Sequence, residues 1–388
     1  MKVRAKPRIV VVFNRDFEGA EADPENKARE DIRDIAENIV RILEGAGYDS
    51  SDLGVTSDVH AALAELEARR PDAVFNLCES IHGDNRFESL LPSLLDLRGI
   101  AYTGSGSFAL SLALRKDKVK EILRARGIPA PQGILLPEED VSAIQLRFPM
   151  MVKPSREDAS VGISSASVVH DPEALAERVR HVIRHYQQPA LVEEYIEGRE
   201  IYVSLLGRSG ERPQIFPFFE IDFSDMPPDR PKIVSFEGKW VEDSVEYRGT
   251  RPVRCEGLTP ALRQRIADTA MAAFEAIELR DYARMDFRLA ADGTPYIIDV
   301  NPNCDLSDLA GGFSKAARAG GLSYKDVILR IVALALSRRP HADTIPLAER
   351  SRSAGSTHRP AATGAGQSLP AGGGVLRARA PRGGAGSA

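Results

Sequence analysis

The stretch from Asp281 to Asn303 restricts the fold more than any other part of the chain. From Tyr282 to Leu289, Ala283, Met285, Phe287 and Leu289 alternate with Arg284, Asp286 and Arg288. That period of two is a strand with one polar face. Asp292-Gly293 predicts a two-residue hairpin turn. Beyond it Tyr296, Ile298 and Val300 point one way, and Asp299 and Asn301 the other. A two-residue turn pairs Ala291 with Thr294 and sets Asp286 opposite Asp299 and Arg284 opposite Asn301. Opposed like charges are destabilising. Their repulsion predicts a raised apparent pKa for the pair, with Arg284 opposing the rise. A hard divalent cation held by Asp286, Asp299 and Asn301 would compensate, and Mg²⁺ is typically bound by one or two carboxylates together with phosphates. Arg284 beside it could stabilise a transferring phosphoryl group. The competing reading is a solvated polar face with Arg284 bridged to an acid.

The chain has 388 residues, enough for two or three domains. Its first third alternates strand and helix: strands near Arg8–Phe13, Leu53–Val55, Ala73–Leu77 and Ile100–Tyr102, with helices at Ile32–Leu43, Val59–Arg69 and Phe87–Leu97. This rhythm predicts a parallel sheet covered on both faces, with ligands at the carboxyl ends of its strands. Gly127, Pro129 and Pro131 close the next helix, Asp117–Arg126. A small α+β block follows, with strands at Met150–Lys153, Ser164–Val169, Ala190–Glu194 and Glu200–Leu206 and a helix at Pro172–Tyr186. A third block contains a long loop from Ser224 to Pro252 and ends in the helices Ser314–Ala319 and Tyr324–Arg338. The expected domains are 1–116, 117–206 and 207–339. From Pro340 onward six arginines stand against two acids in a Gly-, Ala-, Pro- and Ser-rich setting. Such a composition cannot offset its ordering entropy, so a disordered tail, 340–388, is expected.

No apolar run reaches membrane-spanning length, and the basic start leads straight into a strand, not a signal-peptide core. The net charge of −5 argues against nucleic acid as the partner of the whole chain. Three scattered cysteines, Cys78, Cys255 and Cys304, fit neither a disulfide framework nor a metal knuckle, which makes the cytoplasm the expected compartment.

Lys153 ends an apolar strand, where a partly buried ammonium needs an anionic partner; the loop Ser155–Gly162 after it is small, polar and suited to closing over phosphates. A lysine at a strand end can also simply snorkel. Leu191 and Glu193 share a strand face, and an acid there can accept from a ribose or an exocyclic amine.

Together these pieces resemble the ATP-grasp superfamily, and within it the D-alanine–D-alanine ligase group. The resemblance runs over residues 75 to 338 through His82-Gly83, Gly99–Gly106, Asp117-Lys118, Val152–Glu157, Ser160–Gly162, Glu193–Glu200, Phe236–Trp240, Arg284–Asp286 and Asp299–Asn301. It implies an α/β protein: an N-terminal parallel α/β domain, then a two-domain ATP-grasp fold with ATP between its halves. It implies that Lys118 and Lys153 hold nucleotide phosphates, that Ser160, Val161 and Gly162 cover them, and that Lys239 adds a third contact. Glu193, Tyr195 and Ile196 then form the adenine pocket and Glu200 accepts from the ribose. Asp286, Asp299 and Asn301 hold Mg²⁺, with Mn²⁺ as a substitute, and Arg284 stabilises acyl-phosphate and tetrahedral states. The implied reaction joins a carboxylate to an amine, with amino acids or peptides as the small-molecule substrates, and a homodimer is open.

The substrate end departs from the group. Its N-terminal Gly-Gly-x-Ser turn is replaced by Phe13–Asp16 and an acidic insertion, with Arg29-Glu30 as the surviving part. His82 is kept. Where the ligases place a Ser-Leu pair for the second substrate's carboxylate, this chain has Gly311-Gly312. A substrate other than D-alanine is therefore expected. The reading from another class is a nucleotide-binding regulatory protein with a decayed substrate site. Cys304 is either a substrate-proximal thiol or a small buried residue, and Trp240 either caps the site or packs its loop.

Overall fold

The structure, a computed structural model, describes residues 6–15, 32–208 and 210–338. The expected tail, the acidic insertion and the substrate candidate Glu30 lie outside the described residues. No helix among the described residues is long and apolar enough to cross a membrane.

The first strand, Arg8–Asn14, is the middle of a three-stranded parallel sheet between Asp49–Val55 and Ala73–Asn76. It has no polar–apolar alternation because both of its faces are covered. Ile9, Val11 and Phe13 pack against the helix Ile32–Gly45 and the late helix Tyr324–Leu336. Val10 and Val12 pack the other way, with Leu66, Leu91 and Leu95. The strand expected at Ile100–Tyr102 is reduced to a single parallel bridge, Val74 to Tyr102.

A four-stranded antiparallel sheet follows, in the order Gly133–Leu136, Ala190–Glu194, Met150–Pro154, Val168–Val169. The helix Pro172–Tyr186 covers it with Leu175, Val179 and Val182. Asp171 caps that helix by accepting from the Ala174 N–H, and proline opens its first turn. The strand expected over Ser164–Val169 shrinks to two residues. Ser164 and Ser167 bond to each other's backbone around a single 3₁₀ turn, and such local side-chain bonds compete with a ladder.

The third sheet has six strands, all antiparallel. Its order is Arg251–Arg254, Phe219–Asp222, Arg199–Gly207, Asp281–Leu289, Pro295–Asn301, with Gln214–Ile215 also paired to Arg199–Gly207. The strand grouped with the central block in the sequence thus belongs to this sheet, and the chain crosses over between Glu194 and Arg199. The supposed loop 224–252 contains two short helices, Phe236–Trp240 and Val245–Arg248, and leads into an edge strand. The helix Pro260–Ala276 was not anticipated, although Thr259-Pro260 is a cap followed by proline at the first helical position. It buries Ile266, Ala270 and Phe274 against Met285, Phe287 and Ile297 on the apolar face of the sheet.

The central hairpin differs from its predicted form in two places that cancel. Its loop has three residues, Ala291 to Gly293: the Ala290 N–H donates to the Thr294 carbonyl, and Gly293 adopts φ +80°. That is the type I turn with a left-handed glycine, the next most common hairpin after the two-residue form. A bulge then leaves Ile298 as an extra residue between the pairs Phe287–Ile297 and Asp286–Asp299. One residue added in the loop and one in the bulge restore the predicted opposition of Asp286 to Asp299 and of Arg284 to Asn301. The bulge also re-aims side chains. Ile297, not Ile298, joins Val300 in the core, and Ile298 lines the cleft.

Candidate active site

The charged face of the large sheet looks across a cleft of about 440 Å³ at the four-stranded sheet. Lys153 and Glu193 come from the smaller sheet. Glu200, Arg284, Asp286, Arg288, Asp299 and Asn301 come from the larger. Strand alternation delivers these side chains to one wall, and the apolar residues between them hold the strands in place from behind.

Three lysine ammonium groups are buried around Glu193 and Asp299, two acids that line the cleft. The Lys153 Nζ and Lys120 Nζ each stand 2.6 Å from one oxygen of Glu193. Lys116 Nζ bridges Asp299 at 3.0 Å and Asp158 at 2.8 Å. Burial alone would raise the pKa of Glu193, but the two lysines outweigh it and lower it from 4.5. Burial also acts first on Lys120, lowering its pKa, with Lys153 adding repulsion and Glu193 opposing both. For Asp299, burial is again overcome, by the charges of Lys116, Lys153 and Lys120, so its pKa falls below 3.8. The rise expected from Asp286–Asp299 repulsion is therefore reversed at Asp299. The register placed the acids correctly, but Lys153 comes from the smaller sheet and Lys116 and Lys120 from a helix whose facing the register did not show.

That helix, Lys116–Ala125, also corrects the assignment of Lys118. Residues 116 and 120 share its inner face with Val119 and Leu123, whereas 118 points outward. The Lys118 ammonium is half-exposed, pairs with Glu121 at 2.7 Å and does not line the cleft. The signal for Lys116 and Lys120 was their i, i+4 spacing beside the apolar positions.

Arg284 chelates Asp286, with Nε to one oxygen at 2.7 Å and Nη2 to the other at 2.9 Å. The Asn301 amide donates to Asp286 at 3.3 Å. The guanidinium also lies 4.9 Å over the Tyr202 ring. Arg288 pairs with Glu200 at 2.8 Å, and the Tyr202 hydroxyl donates to the same carboxylate at 3.2 Å. Burial nevertheless leaves the Glu200 pKa raised, with Arg288 the main opposing influence. Arg288, seen in the sequence only as part of the polar strand face, was missed as a site residue.

Over the cleft, Ser160 takes φ +64° and its hydroxyl donates to the Val234 carbonyl at 3.0 Å. The Trp240 indole N–H donates to the Ala159 carbonyl at 3.0 Å, so Trp240 ties the two covering segments together and lines the cleft. Lys239 lies 4.9 Å over the Trp240 ring. Of the three residues expected to cover the phosphates, 160–162, only Ser160 lines the cleft. Val161 is buried, and Gly162 packs on Pro154, where a Cβ would come within 2.4 Å of the ring. Tyr195, Ile196 and Lys239 do line it.

At the substrate end the candidates divide. Gly312 lines the cleft; Gly311 and His82 do not. His82 sits exposed at φ +58° in a tight turn with Gly83. The missing hydroxyl at 311 has a steric cause: a Cβ there would lie 2.6 Å from the Ser307 carbonyl oxygen and 2.8 Å from that of Asp305. Gly311→Ser is accordingly expected to lower stability by about 1–3 kcal/mol, read as a lower denaturation midpoint; an unchanged midpoint would contradict this loop geometry. Cys304 is buried outside the cleft, its thiol pKa pushed up to about 12 by burial, which removes it as a substrate-proximal nucleophile.

The donor set suits a hard divalent cation. Two carboxylates and an amide oxygen donor converge on one sheet face beside ammonium groups that could take phosphate oxygens. No group of three or more His, Cys, Asp or Glu that could hold a metal ion is found among the described residues.

Residues 124–333 match the family model described as D-ala D-ala ligase C-terminus. An uncharacterized protein, y4sG, of Sinorhizobium fredii is 33% identical over 343 residues, covering 85% of this chain and 97% of its own length. A D-alanine–D-alanine ligase of Verminephrobacter eiseniae is 32% identical over 314 residues, covering 79% of this chain and 90% of its own. Among solved structures, the D-alanine–D-alanine ligase from Bacillus anthracis complexed with ATP has a TM-score of 0.66 at 23% identity, covering 87% of this chain and 99% of that one. At that identity the likeness speaks for the fold.

Proposed function

Because the chain belongs to the D-alanine–D-alanine ligase family, and is thus an ATP-grasp enzyme that forms carbon–nitrogen bonds, we propose that it joins an amino-acid or peptide carboxylate to an amine through an acyl phosphate. The observation that carries this reading is the single cleft in which Lys116, Lys153, Arg284, Asp286, Asp299 and Asn301 converge. In the proposed reaction a carboxylate oxygen attacks the γ-phosphorus of ATP and ADP departs. The amine nitrogen then attacks the acyl carbon, loses its proton, and phosphate leaves as the amide forms.

Lys153, Lys116 and Lys239 bind and orient the phosphates, and the two covering segments joined by Trp240 exclude water. In this reading Tyr195 and Ile196 flank the base, and Glu200 accepts from the ribose. Asp286, Asp299 and Asn301 would hold Mg²⁺, which neutralises charge on the phosphates when bound. Arg284 serves the developing negative charge on the acyl centre. Positioning and electrostatics of this kind supply most of the catalysis in phosphoryl transfer.

Two measurements test the reading. Lys153→Ala is expected to weaken ATP binding about ten- to a hundredfold, since a charge-assisted contact contributes roughly 1.5–3 kcal/mol; unchanged affinity would remove the lysine from the site. A panel of D- and L-amino acids and dipeptides, followed by phosphate release from ATP, is expected to show turnover on a substrate pair other than two D-alanines. Efficient D-alanyl-D-alanine synthesis would overturn that substrate assignment while leaving the nucleotide site in place.

A further inference from the structure

One lysine lining the cleft has no part in the scheme above. Lys315 lines the cleft from the helix Gly312–Ala319 and takes part in no ion pair among the described residues. It stands three residues after Gly312, so the two share a helix face, and side chains on a helix lean toward its N-terminus. Lys315 therefore extends back over the turn that begins at Gly312.

Arg284 lies against the same turn. Its Nε and Nη2 are taken by Asp286, while a Cβ placed on Gly312 would stand 3.8 Å from Nη1. Asp305 also borders this end of the cleft, but both its oxygens accept from Ser307, the backbone N–H at 2.7 Å and the hydroxyl at 3.0 Å. The other cleft lysines, Lys116 and Lys153, already have carboxylate partners. Lys239, the remaining one, stands by Trp240 on the covering segment. The Gly312 end thus holds two cations, Arg284 and Lys315, at different heights along one helix face. Arg284 already has Asp286 as its counter-charge, whereas Lys315 has none among the described residues, so a carboxylate at Arg284 Nη1 alone would leave Lys315 unmatched.

We infer that Lys315 reads a side-chain carboxylate on the amine substrate, which is then an α-amino acid of the aspartate or glutamate type. The inference rests on the ligase reading and deepens it. The α-carboxylate occupies the position between Arg284 Nη1 and the first turn of the helix. The side-chain carboxylate reaches Lys315 one turn farther along.

Charge can be separated from shape with isosteric pairs. Binding of glutamate against glutamine, and of aspartate against asparagine, in both hands, is measured by calorimetry on the full chain with a non-hydrolysable ATP analogue and Mg²⁺ present. At least one acid is expected to bind tenfold or more tightly than its amide. Lys315→Gln should bring that ratio close to one without changing affinity for the ATP analogue. Ratios near one in the parent for both pairs, or a ratio that survives in Lys315→Gln, would overturn the inference while leaving the nucleotide site standing. A loss of nucleotide affinity in Lys315→Gln with the ratio intact would also overturn it and make Lys315 a phosphate contact. Failure of the parent to bind the ATP analogue at all would remove the ligase reading, and this inference with it.

Discussion

Glu193→Gln is expected to cost about 3–5 kcal/mol of folding stability, the penalty of removing one partner from a buried ion pair. Both carboxylate oxygens are committed, one to Lys120 and one to Lys153, at 2.6 Å each, and all three side chains are buried. An amide has no charge to offer either ammonium, and its NH₂ would face one of them as a second donor. Part of the loss is recoverable, because burial already lowers the Lys120 pKa, so the variant can shed that proton. The same group sets a pH dependence. With its pKa lowered from 4.5, Glu193 contributes stability that is complete above 4.5 and is lost as pH falls through the lower folded value. Chemical denaturation across pH 3 to 8 should show a shallower acid decline in Glu193→Gln than in the parent. A variant within about 1 kcal/mol of the parent at pH 7 would mean that the buried pairs contribute only what surface pairs do.

The double commitment of Glu193 also shows where the sequence was legible and where it was not. Alternation along a strand fixes which residues share a face, so the wall of Arg284, Asp286, Arg288, Asp299 and Asn301 could be seen from order alone. Even the opposition of Asp286 to Asp299 survived a wrong turn type, because an extra loop residue was offset by the bulge at Ile298. What order does not carry is the facing of one element toward another. The Asp117-Lys118 resemblance points to Lys118, whereas the helix turns its Val119 and Leu123 side, and with it residues 116 and 120, inward. Lys120, one of the two partners of Glu193, and Lys116, the partner of Asp299, come from that helix, 73 and 183 positions away in sequence. The helix Pro260–Ala276 was missed for a different reason: its charged positions at 263, 265 and 268 blur the apolar stripe that its cap and proline announce. At Gly311-Gly312 the sequence showed a missing hydroxyl, but only the loop carbonyls of Ser307 and Asp305 explain why no side chain can stand there.

The second large effect is expected in Asp299→Asn, and the two halves of the result have different origins. Turnover should fall by about 10²–10³-fold or more, the scale on which removal of a single electrostatic stabiliser acts in an active site. Asp299 is proposed to share Mg²⁺ with Asp286 and Asn301, and an amide supplies one neutral oxygen in place of a charged one. Stability should fall as well. Considered as a pair, two opposed acids predict that neutralising one relieves repulsion and stabilises the protein without nucleotide. The lysines reverse that sign. Asp299 has a lowered pKa because Lys116, Lys153 and Lys120 surround it, and Lys116 holds it at 3.0 Å. Removing its charge leaves Lys116 with Asp158 alone, whose side chain is about half exposed at 47%. The surviving partner limits the loss to about 1–3 kcal/mol, the range for a charge-assisted bond left unmade. Steady-state phosphate release and thermal melting of the nucleotide-free variant read the two halves separately. A melt equal to or above that of the parent would show that acid–acid repulsion dominates this site after all. Full activity in Asp299→Asn would take the residue out of the metal site, whatever the melt.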